Sequence, residues 1–159
     1  MKIFYTLLFM LFIYSCQEKK IVKGTITIIK DELHTVKEYV SLFPNKVVYI
    51  DIWASWCGPC LIEAPHSIEL QEHYKEQNVV FLFLSIDSNK NRWLSTIKAK
   101  NITGQHVLSN KQLINDLEST YNLEGIPRYL VFGRKGKLLI SNASKPSDLD
   151  VRATIDHSL

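Results

Sequence analysis

Two stretches of this chain, Val47 to Trp53 and Val79 to Ile86, are apolar at nearly every position, interrupted only by Asp51 in the first and Ser85 in the second. A strand with one face in water alternates apolar and polar side chains. A run without alternation needs cover on both faces, which is the condition of parallel strands joined by crossover helices. The segments around these runs supply the helices. Asp31 is placed to cap a helix whose Leu33, Val36, Val40 and Phe43 share a face before Pro44 stops it. Cys57 to Gln77 reads as a helix with Leu61, Ala64 and Ile68 on one face and a kink at Pro65. Arg92 to Lys100 predicts a short helix, and Leu113, Ile114, Leu117 and Tyr121 stripe another. Further strands are expected at Ile21 to Ile29, irregularly at His106 to Leu108, and in a hairpin of Tyr129 to Phe132 with Leu138 to Ile140 about Lys135-Gly136. Pro146, with Ser147 and Asp150 as a capping pair, opens a C-terminal helix. The pattern predicts an α/β fold, a central mixed β-sheet flanked by helices on both faces.

With 159 residues, 46% of them hydrophobic, the chain buries enough surface to fold as one domain without a disulfide scaffold. Three cysteines are too few for such a scaffold. A formal net charge of +3, evenly spread, leaves no basic footprint for nucleic acid. Six Gly and five Pro exclude collagen-like and low-complexity classes.

The first residues differ in kind from the rest. Lys2 precedes the eleven-residue run Ile3 to Ile13, broken only by Thr6. A membrane-spanning helix needs about 20 apolar residues, so residues 1–15 read as a signal peptide. The end of the run, Ile13-Tyr14-Ser15-Cys16, resembles a bacterial lipobox, with Tyr14 departing from the small or aliphatic residue usual there. That resemblance implies acylation of Cys16, a membrane-anchored lipoprotein facing the periplasm, and a tether and strand extension over residues 16–30 ahead of a folded domain over 31–159. A plain secretory signal and a buried N-terminal segment stay open as alternatives.

The chemistry concentrates in Trp53-Ala54-Ser55-Trp56-Cys57-Gly58-Pro59-Cys60. A disulfide exchange centre needs one ionisable thiol with a second within bonding distance. At a helix start, unpaired N–H groups and the helix dipole favour a thiolate on the first Cys, lowering its pKa from about 8.5 towards 7 or below. Cys60 lies one turn later, and Pro59 suits the first turn, where its missing N–H costs nothing. A C-x-x-C is also half of a zinc site, but the sequence has no second C-x-x-C or C-x-x-H to complete a tetrahedron. A structural disulfide is the other reading of the pair.

At this point the chain resembles the thioredoxin superfamily, from about Leu33 to Leu159, through Trp56-Cys57-Gly58-Pro59-Cys60 and through Gly125-Ile126-Pro127. The resemblance implies a thioredoxin-like fold and a redox disulfide between Cys57 and Cys60. It further implies a cis peptide bond at Pro127, and Ile126 offering its backbone to a substrate peptide beside Trp56, Gly58 and Pro59. It places Asp51 on the buried carboxylate that shuttles the proton of the second cysteine. The lysine that usually partners that carboxylate is missing from Val79 to Leu84. Cys60-Leu61-Ile62-Glu63-Ala64-Pro65 matches the C-x-x-E-x-P pattern of TlpA/ResA-type membrane-tethered thiol-disulfide oxidoreductases, which adds Glu63 to the catalytic set. Trp93 through Gly104 to Tyr121 looks like their inserted helix and strand, and Asn142 to Ser147 is similar to versions in Bacteroidetes-type lipoproteins. Arg128 stands where threonine is common.

His34, His66, His73, His106 and His157 lack partner motifs and read as surface or packing residues. Trp53 and Trp56 read equally as packing and as a docking rim, and Arg134 to Lys137 as a solvated hairpin tip. The expected function is reduction of disulfides in exported proteins by a monomer that needs no cofactor or metal and is re-reduced by a membrane thiol electron donor. The alternatives are a net oxidant or isomerase on the same fold, and a carrier holding Cu(I) on the cysteine pair. No nucleic-acid partner is expected.

Overall fold

The computed structural model describes residues 24–30 and 32–159. Cys16, the signal-peptide segment, the tether, the beginning of the first expected strand and Asp31 lie outside the described residues. Along the chain run β1 (Ile26–Ile28), α1 (Val36–Ser41), β2 (Val47–Trp53), α2 (Gly58–Tyr74), β3 (Val79–Ser85), α3 (Lys90–Lys100), β4 (Gly104–Leu108), α4 (Lys111–Tyr121), β5 (Arg128–Phe132), β6 (Leu138–Ile140) and α5 (Val151–Asp156). The six strands form one sheet in the order β1-β4-β3-β2-β5-β6. The first three pairings are parallel, and β2–β5 and β5–β6 are antiparallel. Among the described residues no helix is long and apolar enough to cross a membrane.

The apolar runs are central because both of their faces are covered. Val47, Tyr49 and Trp53 of β2, with Phe81 and Phe83 of β3, pack on one side with residues of α2, α3 and α5. Val48, Ile50 and Ile52, with Leu82 and Leu84, pack on the other with α1 and α4. Each such aliphatic side chain contributes roughly 1.5–3 kcal/mol of transfer free energy on burial. Strand side chains alternate, so Asp51 is committed to the same face as Tyr49 and Trp53, beneath α2.

Several local expectations are corrected. Helix α1 starts at Val36, where Thr35 caps it and Glu38 completes a capping box. Helix α2 contains Pro65, as expected, but its buried line is Cys60, Glu63, Ala64, Ser67, Leu70 and Tyr74; Leu61 and Ile68 are only half-buried. The segment at His106 is a regular parallel strand from Gly104, paired on both sides. Ser147 does not cap α5, whose N-cap residue, Asp150, makes no side-chain capping bond. Ser147 is drawn instead to a carboxylate on α2, described below. The β5–β6 hairpin turns through Gly136 at φ 69°, a left-handed conformation that glycine adopts without strain.

Candidate active site

Strand β2 ends at Trp53, and the chain turns through Ala54 to Trp56 into α2. Cys57 is the N-cap of that helix: its backbone is extended and its Sγ accepts the Cys60 N–H at 3.2 Å. Pro59 lies in the first turn. Cys57 and Cys60 form a disulfide with Cα atoms 5.3 Å apart. Both cysteines are 5% exposed, so in this oxidised state exposure does not distinguish them. What does is position, because Cys57 sits where the helix offers unpaired donors and its positive end. Gly58 and Pro59 are exposed, and a Cβ added at Gly58 would meet nothing within 4 Å, leaving the approach to the disulfide open.

Trp56 is 54% exposed, whereas Trp53 is a core residue, so the two tryptophans have separated into surface and packing roles. The Ile126–Pro127 peptide bond is cis, and Ile126 packs half-buried against the cluster that contains both cysteines. Arg128, the next residue, holds this loop in place. Its Nε donates to Ser141 O at 3.0 Å and its Nη2 to Tyr121 O and Asn122 O, each at 3.2 Å. Those last two carbonyls belong to the C-terminal end of α4, where a cation is favoured.

Asp51 is buried, and its Oδ1 has no hydrogen-bond partner. Its register neighbours are Phe83 on β3 and Tyr129 on β5. The aromatic Phe83 therefore occupies the β3 position opposite Asp51. Burial, and secondarily the charge of Glu63, push the Asp51 carboxyl up to about 8. Glu63 is also 5% exposed but richly bonded. The Ser147 N–H donates to Oε2 at 3.0 Å, the Ser147 hydroxyl to Oε1 at 2.9 Å, and Lys145 Nζ stands 3.8 Å from Oε1. The site thus holds two buried carboxylates in opposite situations, one without a donor at Oδ1 and one with donors on both oxygens.

Two contributors are not apparent in the sequence. Asp87, just beyond β3, is buried and accepts the Ser55 N–H at 2.8 Å, the Ser55 hydroxyl at 2.6 Å and the Ser85 hydroxyl at 2.8 Å. It clamps the turn that delivers Cys57. Ser147 reaches Glu63 across 84 positions of chain. No local period or motif links residues so far apart. The histidines take no part in the site: His34, His66, His73 and His157 are exposed. His106 is fully buried against Phe83, bonds Ile102 O through Nε2, and is driven down to about 4 by burial, which keeps it neutral. Among the described residues no group of three or more His, Cys, Asp or Glu is placed to hold a metal ion.

Comparison with known proteins agrees with this geometry. The sequence profile of a family described as thioredoxin-like matches residues 45–138. The chain is similar to the thiol-disulfide oxidoreductase ResA of Bacillus cereus, with 28% identity over 130 residues, covering 79% of this chain and 72% of that one. Against ResA of Bacillus thuringiensis the match is 29% over 100 residues, spanning 61% of this chain and only 54% of the relative. The crystal structure of a candidate thiol-disulfide oxidoreductase from Bacteroides vulgatus superposes with a TM-score of 0.67 at 30% identity, covering 75% of this chain and 82% of that one. A redox-capable Cys57–Cys60 disulfide at a helix start and a cis-proline loop packed on its cluster, on a sheet of this order, accord with these likenesses, and the chain belongs to the thioredoxin-like family as a thiol-disulfide oxidoreductase.

Proposed function

We propose that this protein is an exported, lipid-anchored reductase that opens disulfides in other exported proteins, with Cys57 as nucleophile, Cys60 as resolving thiol and Asp51 as proton acceptor. The observation that carries the reading is the Cys57–Cys60 disulfide at the N-terminus of a helix lying over a buried carboxylate. The Cys57 thiolate attacks one sulfur of the substrate disulfide; a Cys57–substrate bond forms and the other substrate sulfur leaves as a thiolate that takes up a proton. The Cys60 thiol passes its proton to Asp51 and attacks Cys57 Sγ, releasing the second substrate thiolate. Two electrons have moved to the substrate, and the protein is left as the disulfide seen here, to be reduced again by a thiol donor in the membrane. Trp56, Gly58, Pro59 and the cis loop at Ile126-Pro127 form the surface on which the substrate peptide docks.

A redox titration of the full-length chain tests the direction. A reductase should poise near the roughly −270 mV of thioredoxin-type couples, and a value near −120 mV would instead make it an oxidant. The anchor is tested separately: the protein should take up a fatty-acid label and partition with membranes, and Cys16→Ser should abolish the label. An unlabelled protein free in the periplasm would remove the anchor from the proposal.

The role of Asp51 gives a pH signature. Its carboxyl is raised to about 8 in the fold against an ordinary 3.8, so between these values the folded protein holds a proton that the unfolded chain has lost. Stability from this residue therefore falls as pH rises from about 4 to 8. Asp51→Asn removes that slope and is expected to be the more stable protein at pH 8, by on the order of a few kcal/mol, with little gain at pH 4. Release of the mixed disulfide should accelerate with pH through about 8 in the wild type, as Asp51 ionises, and lose that dependence in Asp51→Asn. Initial attack by Cys57 should be unchanged. Single-turnover kinetics across pH check this, and an unaltered release profile would take Asp51 out of the mechanism.

A further inference from the structure

Resting on the assignment of Asp51 as proton acceptor, we infer that Ser147 is a positioning residue of the reaction: its N–H and hydroxyl hold the Glu63 carboxylate in place beneath α2, so that the charge of Glu63 bears on Asp51 and sets when Asp51 gives up its proton.

The geometry supports this from two sides. Glu63 is buried on the inner line of α2, one turn after Cys60, and Ser147 places one donor on each of its oxygens. The loop bearing Ser147 is itself held to the sheet beside Asp51. The Tyr49 hydroxyl donates to Ser144 O at 2.6 Å, and the Ala143 N–H to Tyr129 O at 2.9 Å. Tyr49 lies two residues before Asp51 on the same face of β2, and Tyr129 is opposite Asp51 in register. The loop that bonds Glu63 is therefore also bonded to β2, which carries Asp51, and to β5 beside it. The two donors, one on each oxygen, fix the direction in which the Glu63 carboxyl points. Asp51 Oδ1 has no such donor. Burial and, second to it, the charge of Glu63 hold the Asp51 carboxyl above its ordinary range.

The other titratable or charged groups of this region are Tyr49 on β2, Tyr129 on β5, the cysteine pair on α2, and Lys145 and Asp148 on the loop. Both tyrosines are held far above their ordinary range, first by burial and next by Asp51, and stay neutral. Lys145 stands 3.8 Å from Glu63 and 3.9 Å from Asp148, and is half-exposed. Its attraction is shared and screened by water. That leaves Ser147 as the contact that places Glu63.

If the Ser147 hydroxyl is removed, Oε1 loses that donor and the Glu63 carboxyl turns towards water. Turned away, it bears less on Asp51, so the Asp51 midpoint falls. Ser147 is itself exposed, and water replaces part of what it supplied, so the fall is modest.

The test is an NMR titration of the Asp51 carboxyl in the oxidised full-length chain carrying ¹³C-labelled aspartate, the signal assigned by its absence in Asp51→Asn. Glu63→Gln should lower the midpoint by roughly one unit and Ser147→Ala by about half as much. Ser147→Thr, which keeps the hydroxyl, should retain the wild-type value, and Ser147→Ala should add nothing in the Glu63→Gln background. The inference is overturned if Asp51 titrates as in the wild type in Ser147→Ala or in Glu63→Gln, or if Ser147→Ala lowers the midpoint equally with Gln at position 63. The readout needs no turnover, so its failure is distinct from failure of the reductase reading, which shows in the redox titration of the wild type.

Discussion

Cys57→Ser is expected to lower disulfide exchange at least about a thousandfold, because a serine hydroxyl is essentially un-ionised at neutral pH and cannot be displaced from a sulfur–sulfur bond. Cys60→Ser should fail differently. The nucleophile remains at the N-cap of α2, where its sulfur loses the disulfide and is free to ionise beside the helix donors. It attacks substrates normally but nothing releases the product, so mixed disulfides through Cys57 should accumulate and persist. The contrast, one variant inert and the other a trap, is read on non-reducing gels of cells expressing each form. In the reduced wild type, alkylation at mildly acidic pH should modify Cys57 first; earlier modification of Cys60 would reverse the assigned roles.

Asp87→Ala should be the most damaging substitution outside the cysteine pair. The carboxylate serves three buried donors, the Ser55 N–H, the Ser55 hydroxyl and the Ser85 hydroxyl, at 2.6–2.8 Å. Ser55 and Ser85 are 5% and 0% exposed, so water does not take over. A buried donor without its partner costs about 1–3 kcal/mol, and the losses overlap because the turn relaxes, so a total of about 3–5 kcal/mol is expected. For a domain of this size that corresponds to a fall of roughly 10 °C or more in Tm. Asp87→Asn, which keeps one acceptor oxygen, should lose less. Exchange should slow in both, since the turn from Ala54 to Trp56 sets the direction in which Cys57 leaves β2. Urea denaturation gives the stability, and a loss below about 1 kcal/mol would show that the turn holds itself.

How much was legible follows the range of each interaction. The two apolar runs announced central strands because covering both faces of a strand leaves a mark on every residue of it. The hairpin and α4 were legible because their signals repeat within a few positions. The N-terminus of α1 is ambiguous in the sequence: Asp31 and Thr35 are both capping residue types, and Glu38, which completes the capping box, favours Thr35. Ser147 resembles a cap for the same local reason, being followed three residues later by an acid. The structure sends its hydroxyl to Glu63, a buried carboxylate on α2.

The cysteine spacing, the proline in the first turn, the Gly125-Ile126-Pro127 loop and the strand pattern are all local, and together they sufficed to place a thiol-disulfide site on an α/β sheet. Folding alone brought Asp87 under Ser55, Arg128 across the ends of α4 and β6, and Ser147 onto Glu63. These contacts join residues up to 84 positions apart. Their strength comes from burial, which makes an unpaired donor or charge costly, and burial is a property of the packed molecule that short-range sequence does not carry. The same holds for the difference between Asp51 and Glu63: both are carboxylates in an apolar context, and only the chain folding back through Ser147 decides which of them is supplied with donors.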